Sequence, residues 1–234
     1  FKINKKKTPL KNIKVLDINT MNRDLSDYRE SYEQRKLIRK SLPKNPIQLF
    51  ANWFDEADNS NFIREANAMT LSTLGVNGYP SSRIVLLKQF DDKGFVFYTN
   101  YNSNKGKAII NHPQVCLSFF WPDLERQVIV RGIASKVPDD VSDAYFNSRP
   151  KGSQLGAIAS NQSNVIESRD FLDDCLKSLE LEYKNKEVSR PKYWGGFIVV
   201  ADQIEFWQGR KNRLHDRFLF TKNDNDWLID RLSP

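Results

Sequence analysis

The segment Ile204 to Arg217 reads IEFWQGRKNRLHDR and gathers Arg210, Lys211, Arg213 and Arg217 with His215, Glu205, Asp216 and Trp207. If its middle is a loop between two strands, Arg213, His215 and Arg217 alternate onto one face as the second strand begins, so that three proton donors converge. A solvated hairpin carrying scattered charge is the alternative. Trp207 argues against it, because a large ring beside converging cations suits a planar anionic ligand, which would stack on the indole and pair with the guanidinium groups.

A second cluster lies at Arg83 to Lys88, RIVLLK. In a strand, Arg83, Val85 and Leu87 face one way and Ile84, Leu86 and Lys88 the other, so the two cations cannot share one pocket wall. They serve different ligands or different parts of one, unless the segment is simply a strand whose charged ends reach water. Tyr98 and Thr99, followed by Ser103 and Lys105 at an expected helix start, add hydroxyls, an ammonium and free backbone N–H groups of the kind a phosphate accepts.

Other chemistry is excluded by absence. The chain has neither G-x-G-x-x-G nor G-x-x-x-x-G-K-[ST], and so lacks a Rossmann turn and a P-loop. With only His112 and His215, and two lone cysteines far apart, a structural zinc site is nearly excluded. No nucleophile elbow supports a Ser-His-Asp triad.

The elements that must position these residues follow from local pattern. Asn45 and Pro46 read as N-cap and first helical residue, and Ile47, Phe50, Ala51 and Phe54 follow at helical spacing, predicting a helix that ends near Asp58. Short runs of β-formers then occupy Ala68 to Leu74, Ser82 to Phe90 and Phe95 to Thr99, with turn signals at Asn77-Gly78 and Asp91 to Gly94. Val115 to Trp121 and Gln127 to Val137 form a further pair across Pro122-Asp123. Phe197 to Ala201, Ile204 to Trp207, Arg217 to Thr221 and Trp227 to Leu232 complete the strands. Helices are expected from Pro138 to Phe146 and, after Ser168, along the stripe Leu172, Cys175, Leu176 and Leu179. Strands this dense among few helices predict a mainly β fold, a closed or partly closed antiparallel barrel with helices packed outside.

The 234 residues, 39% hydrophobic and 12% aromatic, suffice for one large domain or two small ones. Cys116 and Cys175 are read as buried thiols, which fits a reducing cytoplasm. Apolar runs such as Ile84 to Leu87 fall far short of the ~20 residues of a membrane-spanning helix. Phe1 to Lys7 is basic without an apolar core, and a chain starting at Phe is expected to have lost its true beginning. The net charge of +7 is local: residues 1–40 hold 12 Lys or Arg against 5 Asp or Glu, while the remainder holds 24 of each sign. We therefore expect a basic, partly mobile arm over 1–40 and one domain over 41–234; the arm is either solvated or folds over an anionic ligand. A nucleic-acid-binding role, which a pI near 9.3 would suggest, is weakened because the body is neutral.

With these residues in place, the sequence resembles the pyridoxine 5′-phosphate oxidase family from about Arg29 to Pro234. IEFWQGRKNRLHDR fits that family's signature of Glu, an aromatic, Trp, a spacer and Arg-Leu-His-Asp-Arg. RIVLLK, FYTN, LERQV, AYFNSRPKGSQLGA and WGGF follow the family's order and spacing. The resemblance implies a homodimeric FMN-binding split β-barrel with FMN between subunits. It implies FMN contacts from Arg83, Ile84, Val85, Leu86, Leu87, Lys88, Tyr98, Thr99, Lys105, Gln127, Gln162, Ser163, Trp207 and Arg217. It implies a grip on the substrate's phosphate by Lys88, Tyr145, Arg149 and Ser153, with Arg213, Leu214 and His215 beside the pyridine ring, Arg213 and His215 being the catalytic pair. Arg29 and Tyr32 match an Arg-x-x-Tyr that closes over the substrate.

The implied reaction removes hydride from the 4′ carbon of pyridoxine or pyridoxamine 5′-phosphate onto the flavin, which oxygen reoxidises. Pyridoxal 5′-phosphate and hydrogen peroxide result. A division of labour in which the cofactor carries the redox step suits residues that orient and supply charge. One departure stands out: the family reads Ser-Arg-Lys where this chain has Ser103-Asn104-Lys105, so one cationic contact to the FMN phosphate is missing unless Lys107 replaces it. Glu65 corresponds loosely to an acidic residue before the family's first barrel strand. Related split-barrel flavoenzymes with another substrate, such as phenazine-pathway oxidases, are the nearest rivals, and the phosphate grip argues against them.

Overall fold

The computed structural model describes residues 24–28 and 30–234. The described residues before Tyr32 belong to a separate unit and contain a turn in which the Tyr28 N–H donates to the Leu25 carbonyl at 3.0 Å and the Ser26 N–H to Asp24 Oδ1 at 2.8 Å. Arg29 lies outside the described residues, as does most of the expected arm.

From Tyr32 onward the chain builds one nine-stranded antiparallel sheet with helices outside it. The strands are β1 (Ala68–Leu74), β2 (Pro80–Leu86), β3 (Gln89–Asp91), β4 (Gly94–Asn100), β5 (Gln114–Trp121), β6 (Arg126–Lys136), β7 (Trp194–Gln208), β8 (Asp216–Asn223) and β9 (Asp226–Leu232). The helices are α1 (Pro46–Asp58), α2 (Asn104–Asn111), α3 (Asp139–Ser148), α4 (Lys151–Ala159) and α5 (Arg169–Glu182). The order β2-β1-β5-β6-β7-β4-β3 puts two consecutive strands at opposite ends. Leu87 and Lys88 join those ends: the Leu87 N–H donates to the Asn67 carbonyl beside β1, and the Lys88 N–H to the Val96 carbonyl in β4, each at 2.8 Å. That change of partner wraps the sheet into a split barrel and divides the single strand expected over Ser82 to Phe90.

β7 likewise replaces the two strands expected over Phe197 to Ala201 and Ile204 to Trp207. Its pairing with β6 slips by one residue between Arg131 and Gly132, so a bulge, and not a turn, absorbs the interruption. Gly132 is required there, because a Cβ would overlap the Val200 carbonyl oxygen. β7 pairs with β4 through Val199 and with β8 from Gln203, and so serves two neighbours along one edge.

The Asn45 side chain caps α1 by accepting from the Ile47 N–H at 2.9 Å, ahead of Pro46. The helix then drives Phe50, fully buried, against Phe90, Phe95, Phe119 and Trp121 in the main core. A second cluster of Phe146, Leu155, Val188 and Trp194 lies under α3 and α4. α4 was not legible in the sequence; Pro150 starts it directly after α3, splitting what reads as one polar stretch. Both cysteines are only partly buried, against the expectation of buried thiols.

Candidate functional site

Beside the outer wall of the barrel lies a cavity of about 720 Å³ that the end of β2, β4, α2, α3 and α4 line together. Of the residues singled out in the sequence, it gathers Ile84, Val85, Leu86, Lys88, Tyr98, Thr99, Lys105, Tyr145, Arg149, Ser153 and Gln162. Three of these are cations, and no Asp or Glu lines the cavity. Arg83 is absent from the lining while Lys88, which lies beyond the end of β2 and pairs with β4, is present; Ile84, Val85 and Leu86 line it together, so simple alternation along one strand does not decide which residues reach the cavity. The Arg83 guanidinium turns instead to the Thr73 hydroxyl at 2.8 Å and the Leu71 carbonyl at 3.2 Å.

One end of the cavity is built at the start of α2. The Ser103 side chain caps that helix from the Gly106 N–H at 3.2 Å, so Lys105 is carried into the cavity on the first turn. Lys105 Nζ donates to Gln162 Oε1 at 2.9 Å, and the Thr99 hydroxyl reaches the same oxygen at 3.5 Å. Ser163, at a left-handed φ of 76°, accepts from the Asn104 N–H at 3.2 Å and ties the loop after α4 to the helix start. Burial, with the nearby Arg83 charge adding to it, pushes the Lys105 ammonium below its ordinary pKa. An anion would reverse both penalties.

At the other end, α3 delivers Tyr145 and Arg149. Tyr145 stacks on Tyr98 at 3.8 Å between centroids, and Trp194, which the sequence offered only within WGGF, lies parallel to Tyr145 at 6.2 Å. The Arg149 guanidinium carbon sits 4.7 Å from the Trp194 ring centroid. Arg149 Nη1 is buried without a hydrogen-bond partner, the only side-chain atom in that condition among the described residues. Burial lowers the pKa of this arginine, and only Tyr145 pulls it the other way. A desolvated guanidinium N–H with no acceptor is costly to keep, and a ligand oxygen would satisfy it.

Gln127, Trp207, Arg213, Leu214, His215 and Arg217 do not line this cavity. Gln127, Trp207 and Arg217 lie on the β6–β7–β8 ladder, Gln127 opposite Trp207 and Trp207 opposite Arg217, while Arg213, Leu214 and His215 lie in the connection between β7 and β8. The expected alternation of Arg213, His215 and Arg217 on one strand does not occur: β8 begins at Asp216, and Asn212 and Arg213 have left-handed φ of 57° and 60° in a short 3-10 turn. His215 packs against Trp207 at 4.6 Å and Tyr32 at 5.9 Å. The Arg210 N–H donates to His215 Nδ1 at 3.1 Å, which leaves Nε2 as the N–H donor of the neutral ring. Burial first, then the Arg213 charge, keeps the His215 pKa below its ordinary value. Arg217 pairs with the buried Glu205 carboxylate at 2.8 Å, and Arg210 with Asp216 at 3.0 Å.

A split barrel carrying an acid-free cationic cavity on its outer wall and an aromatic, histidine-bearing hairpin on its C-terminal strands defines a class of small-molecule-binding β proteins. Comparison makes the class specific. Residues 56–180 match the family model described as pyridoxamine 5′-phosphate oxidase, and residues 194–234 match the pyridoxine 5′-phosphate oxidase C-terminal dimerisation region. The chain is 56% identical over 211 residues to a pyridoxine/pyridoxamine 5′-phosphate oxidase of Flavobacterium johnsoniae, covering 90% of this chain and 99% of that protein. It is 53% identical over 214 residues to the Christiangramia forsetii protein of the same name, covering 92% and 100%. Among solved structures, PhzG from Burkholderia lata, crystallised with tetrahydrophenazine-1-carboxylic acid, superposes with TM-score 0.80 at 26% identity, over 88% of this chain and 100% of that one. A pyridoxamine 5′-phosphate oxidase-related FMN binding protein from Nostoc punctiforme shares the fold, with TM-score 0.64 at 15% identity over 83% and 99%. The chain belongs to the pyridoxamine 5′-phosphate oxidase family.

Proposed function

We propose that this protein oxidises pyridoxine 5′-phosphate or pyridoxamine 5′-phosphate to pyridoxal 5′-phosphate, with FMN as cofactor and oxygen as acceptor. The observation that carries the reading is the half-buried Arg149, whose Nη1 is buried and unsatisfied, lining a cavity that holds Lys88 and Lys105 but no carboxylate. Such a donor set fits phosphate groups. It fits FMN as well as substrate, because Lys105, Thr99 and Gln162 form one donor cluster while Lys88, Tyr145, Arg149 and Ser153 form another in the same cavity.

Trp207, Arg217 and Gln127 complete the flavin contacts on this reading, and Arg213, Leu214 and His215 the substrate contacts. Since one chain holds these residues apart from the cavity, a second copy would supply them, which the match of 194–234 to a dimerisation region supports. The FMN would supply the two-electron redox chemistry, so that hydride leaves the substrate's 4′ carbon, the substituent loses a proton, and oxygen as final acceptor becomes hydrogen peroxide; the amine substrate would also consume water and release ammonia. The chain's own residues bind and orient: Lys88 and Arg149 fix the phosphate, His215 offers its Nε2–H to the 4′ substituent, and the exposed Arg213 supplies charge beside it. Tyr32, packed on Trp207 and His215, belongs to the segment that covers them. No helix among the described residues is long and apolar enough to cross a membrane, and we place the enzyme in the cytoplasm.

The test is direct. Purified protein incubated with FMN should show flavin absorbance, run as a dimer and form pyridoxal 5′-phosphate from pyridoxine 5′-phosphate. Failure to bind FMN, or turnover of unphosphorylated pyridoxine with equal efficiency, would overturn the reading.

A further inference from the structure

Two arginines flank Trp194 and are held in opposite ways. Arg190, whose side chain is 7% exposed, is neutralised by Asp139 at 2.7 Å and Asp143 at 2.6 Å, and its Nη1 donates to the Trp194 carbonyl at 2.7 Å. Arg149 forms no ion pair among the described residues; its guanidinium rests over the Trp194 face at 4.7 Å and near Phe146 at 5.8 Å. The indole is itself fixed. Its backbone N–H donates to the Pro191 carbonyl at 2.9 Å, Phe146 packs edge-on at 5.3 Å, and Tyr98 lies nearly parallel at 5.7 Å.

The difference has a chemical consequence. A carboxylate on Arg149 would hold the side chain but cancel its charge and occupy the N–H groups that a phosphate needs. An aromatic face attracts a guanidinium through the ring quadrupole and leaves the in-plane N–H groups free. We propose that Trp194 is a positioning residue for the substrate's phosphate, keeping Arg149 oriented and charged without competing for its hydrogen bonds, with Arg190 clamping Trp194 to the start of α3. The inference rests on the assignment of Arg149 to the substrate's phosphate.

The experiment compares Trp194→Leu, Trp194→Phe, Arg149→Ala and the double variant Trp194→Leu/Arg149→Ala as FMN-loaded dimers. It measures KM and kcat for pyridoxine 5′-phosphate, flavin content, and the affinity for pyridoxal 5′-phosphate against unphosphorylated pyridoxal. Trp194→Leu should raise KM about fivefold to tenfold, with kcat and flavin content within twofold of the parent, and should weaken pyridoxal 5′-phosphate but not pyridoxal. Trp194→Phe, which keeps a ring face, should recover most of that loss, and in the Arg149→Ala background Trp194→Leu should add nothing. Equal effects of Leu and Phe, additivity in the double variant, or a fall in flavin content at unchanged KM would each overturn the proposal. If Trp194→Leu does not fold, Trp194→Phe decides, since its KM should still rise by about twofold and an unchanged KM counts against a role for the indole. Unchanged KM in Arg149→Ala defeats the phosphate assignment itself; a raised KM there with none in Trp194→Leu defeats only the role of Trp194.

Discussion

The cavity and the C-terminal hairpin are both rich in cations, but they use them differently. In the hairpin the charges are largely internal: Arg217 is bound to Glu205, and Arg210 and Arg231 share Asp216. In the cavity Lys88, Lys105 and Arg149 have no carboxylate among the lining residues. Composition alone would rank the hairpin first, since it concentrates more charge per residue. Pairing reverses the ranking, because a cation already neutralised by a buried carboxylate holds strands together, whereas one kept unpaired in a desolvated wall is available to a ligand.

The sharpest way to break that contrast is Arg217→Ala. Glu205 has only 5% of its side chain exposed, so removing its partner strands a buried carboxylate. We expect a loss of about 3 kcal/mol in unfolding free energy, present with or without FMN. Glu205→Gln in the same chain should return part of it. Denaturant titration of apo and FMN-loaded protein checks this, and a loss seen only with FMN would mean that Arg217 acts through the cofactor alone.

Arg149→Ala should do the opposite, leaving stability nearly unchanged while weakening substrate binding by about 2 kcal/mol, roughly thirtyfold in KM, because one charge-assisted contact is lost. Steady-state kinetics beside a thermal melt separates the two. A fall in flavin content at constant KM would assign this arginine to the other ligand.

The same contrast marks what the sequence revealed. The capped helix at Asn45-Pro46 and the β-rich body followed from local pattern, because period and capping act over a few residues; the opposed facing of Arg83 and Lys88 assumed one strand that in fact ends at Leu86. What escaped it was long-range. The break at Leu87 depends on Asn67 and Val96 accepting from successive N–H groups, and the fusion of two short strands into β7 depends on a bulge opposite Gly132. Trp194 was visible only as a motif letter, since its meaning lies in a guanidinium and two tyrosines that the fold brings to it. Arg213 was placed on a strand because alternation was assumed to begin early, whereas its left-handed backbone delays β8 to Asp216.

Acid should affect the hairpin in two stages. The folded pKa of His215 is depressed, so the folded state resists a proton that the unfolded chain accepts near 6.5; stability is retained above that value and falls as pH drops through it. Protonation also removes the Nδ1 lone pair that accepts from the Arg210 N–H. Burial alone would raise the pKa of Asp216, but hydrogen bonds from Arg231 and the Leu37 N–H, with the Arg210 and Arg231 charges, outweigh it and hold the carboxylate low. Its contribution is therefore present above about pH 4 and lost below. Unfolding measured from pH 7 to 3 should show the first decline near neutrality and a steeper one in strong acid. His215→Asn should abolish the first alone.

The smallest expected effect concerns Asn104, the first residue of α2, where the family resemblance leads us to expect arginine. Its side chain is exposed, and its N–H is already engaged by Ser163 at 3.2 Å. A guanidinium placed there would meet an anion at the cavity mouth through solvent, an interaction of about 0.2 to 1 kcal/mol. It would also face the positive end of the helix dipole, which offsets a similar amount. Asn104→Arg should thus tighten FMN by no more than about fivefold at low salt, and the gain should vanish toward 1 M salt, where the screening length is about 3 Å. Fluorescence titration of FMN into apoprotein across that range measures it. A gain larger than about tenfold that persists at high salt would show that the cavity as built lacks a buried phosphate contact, and that Lys105 with the α2 N-terminus is not sufficient for the cofactor.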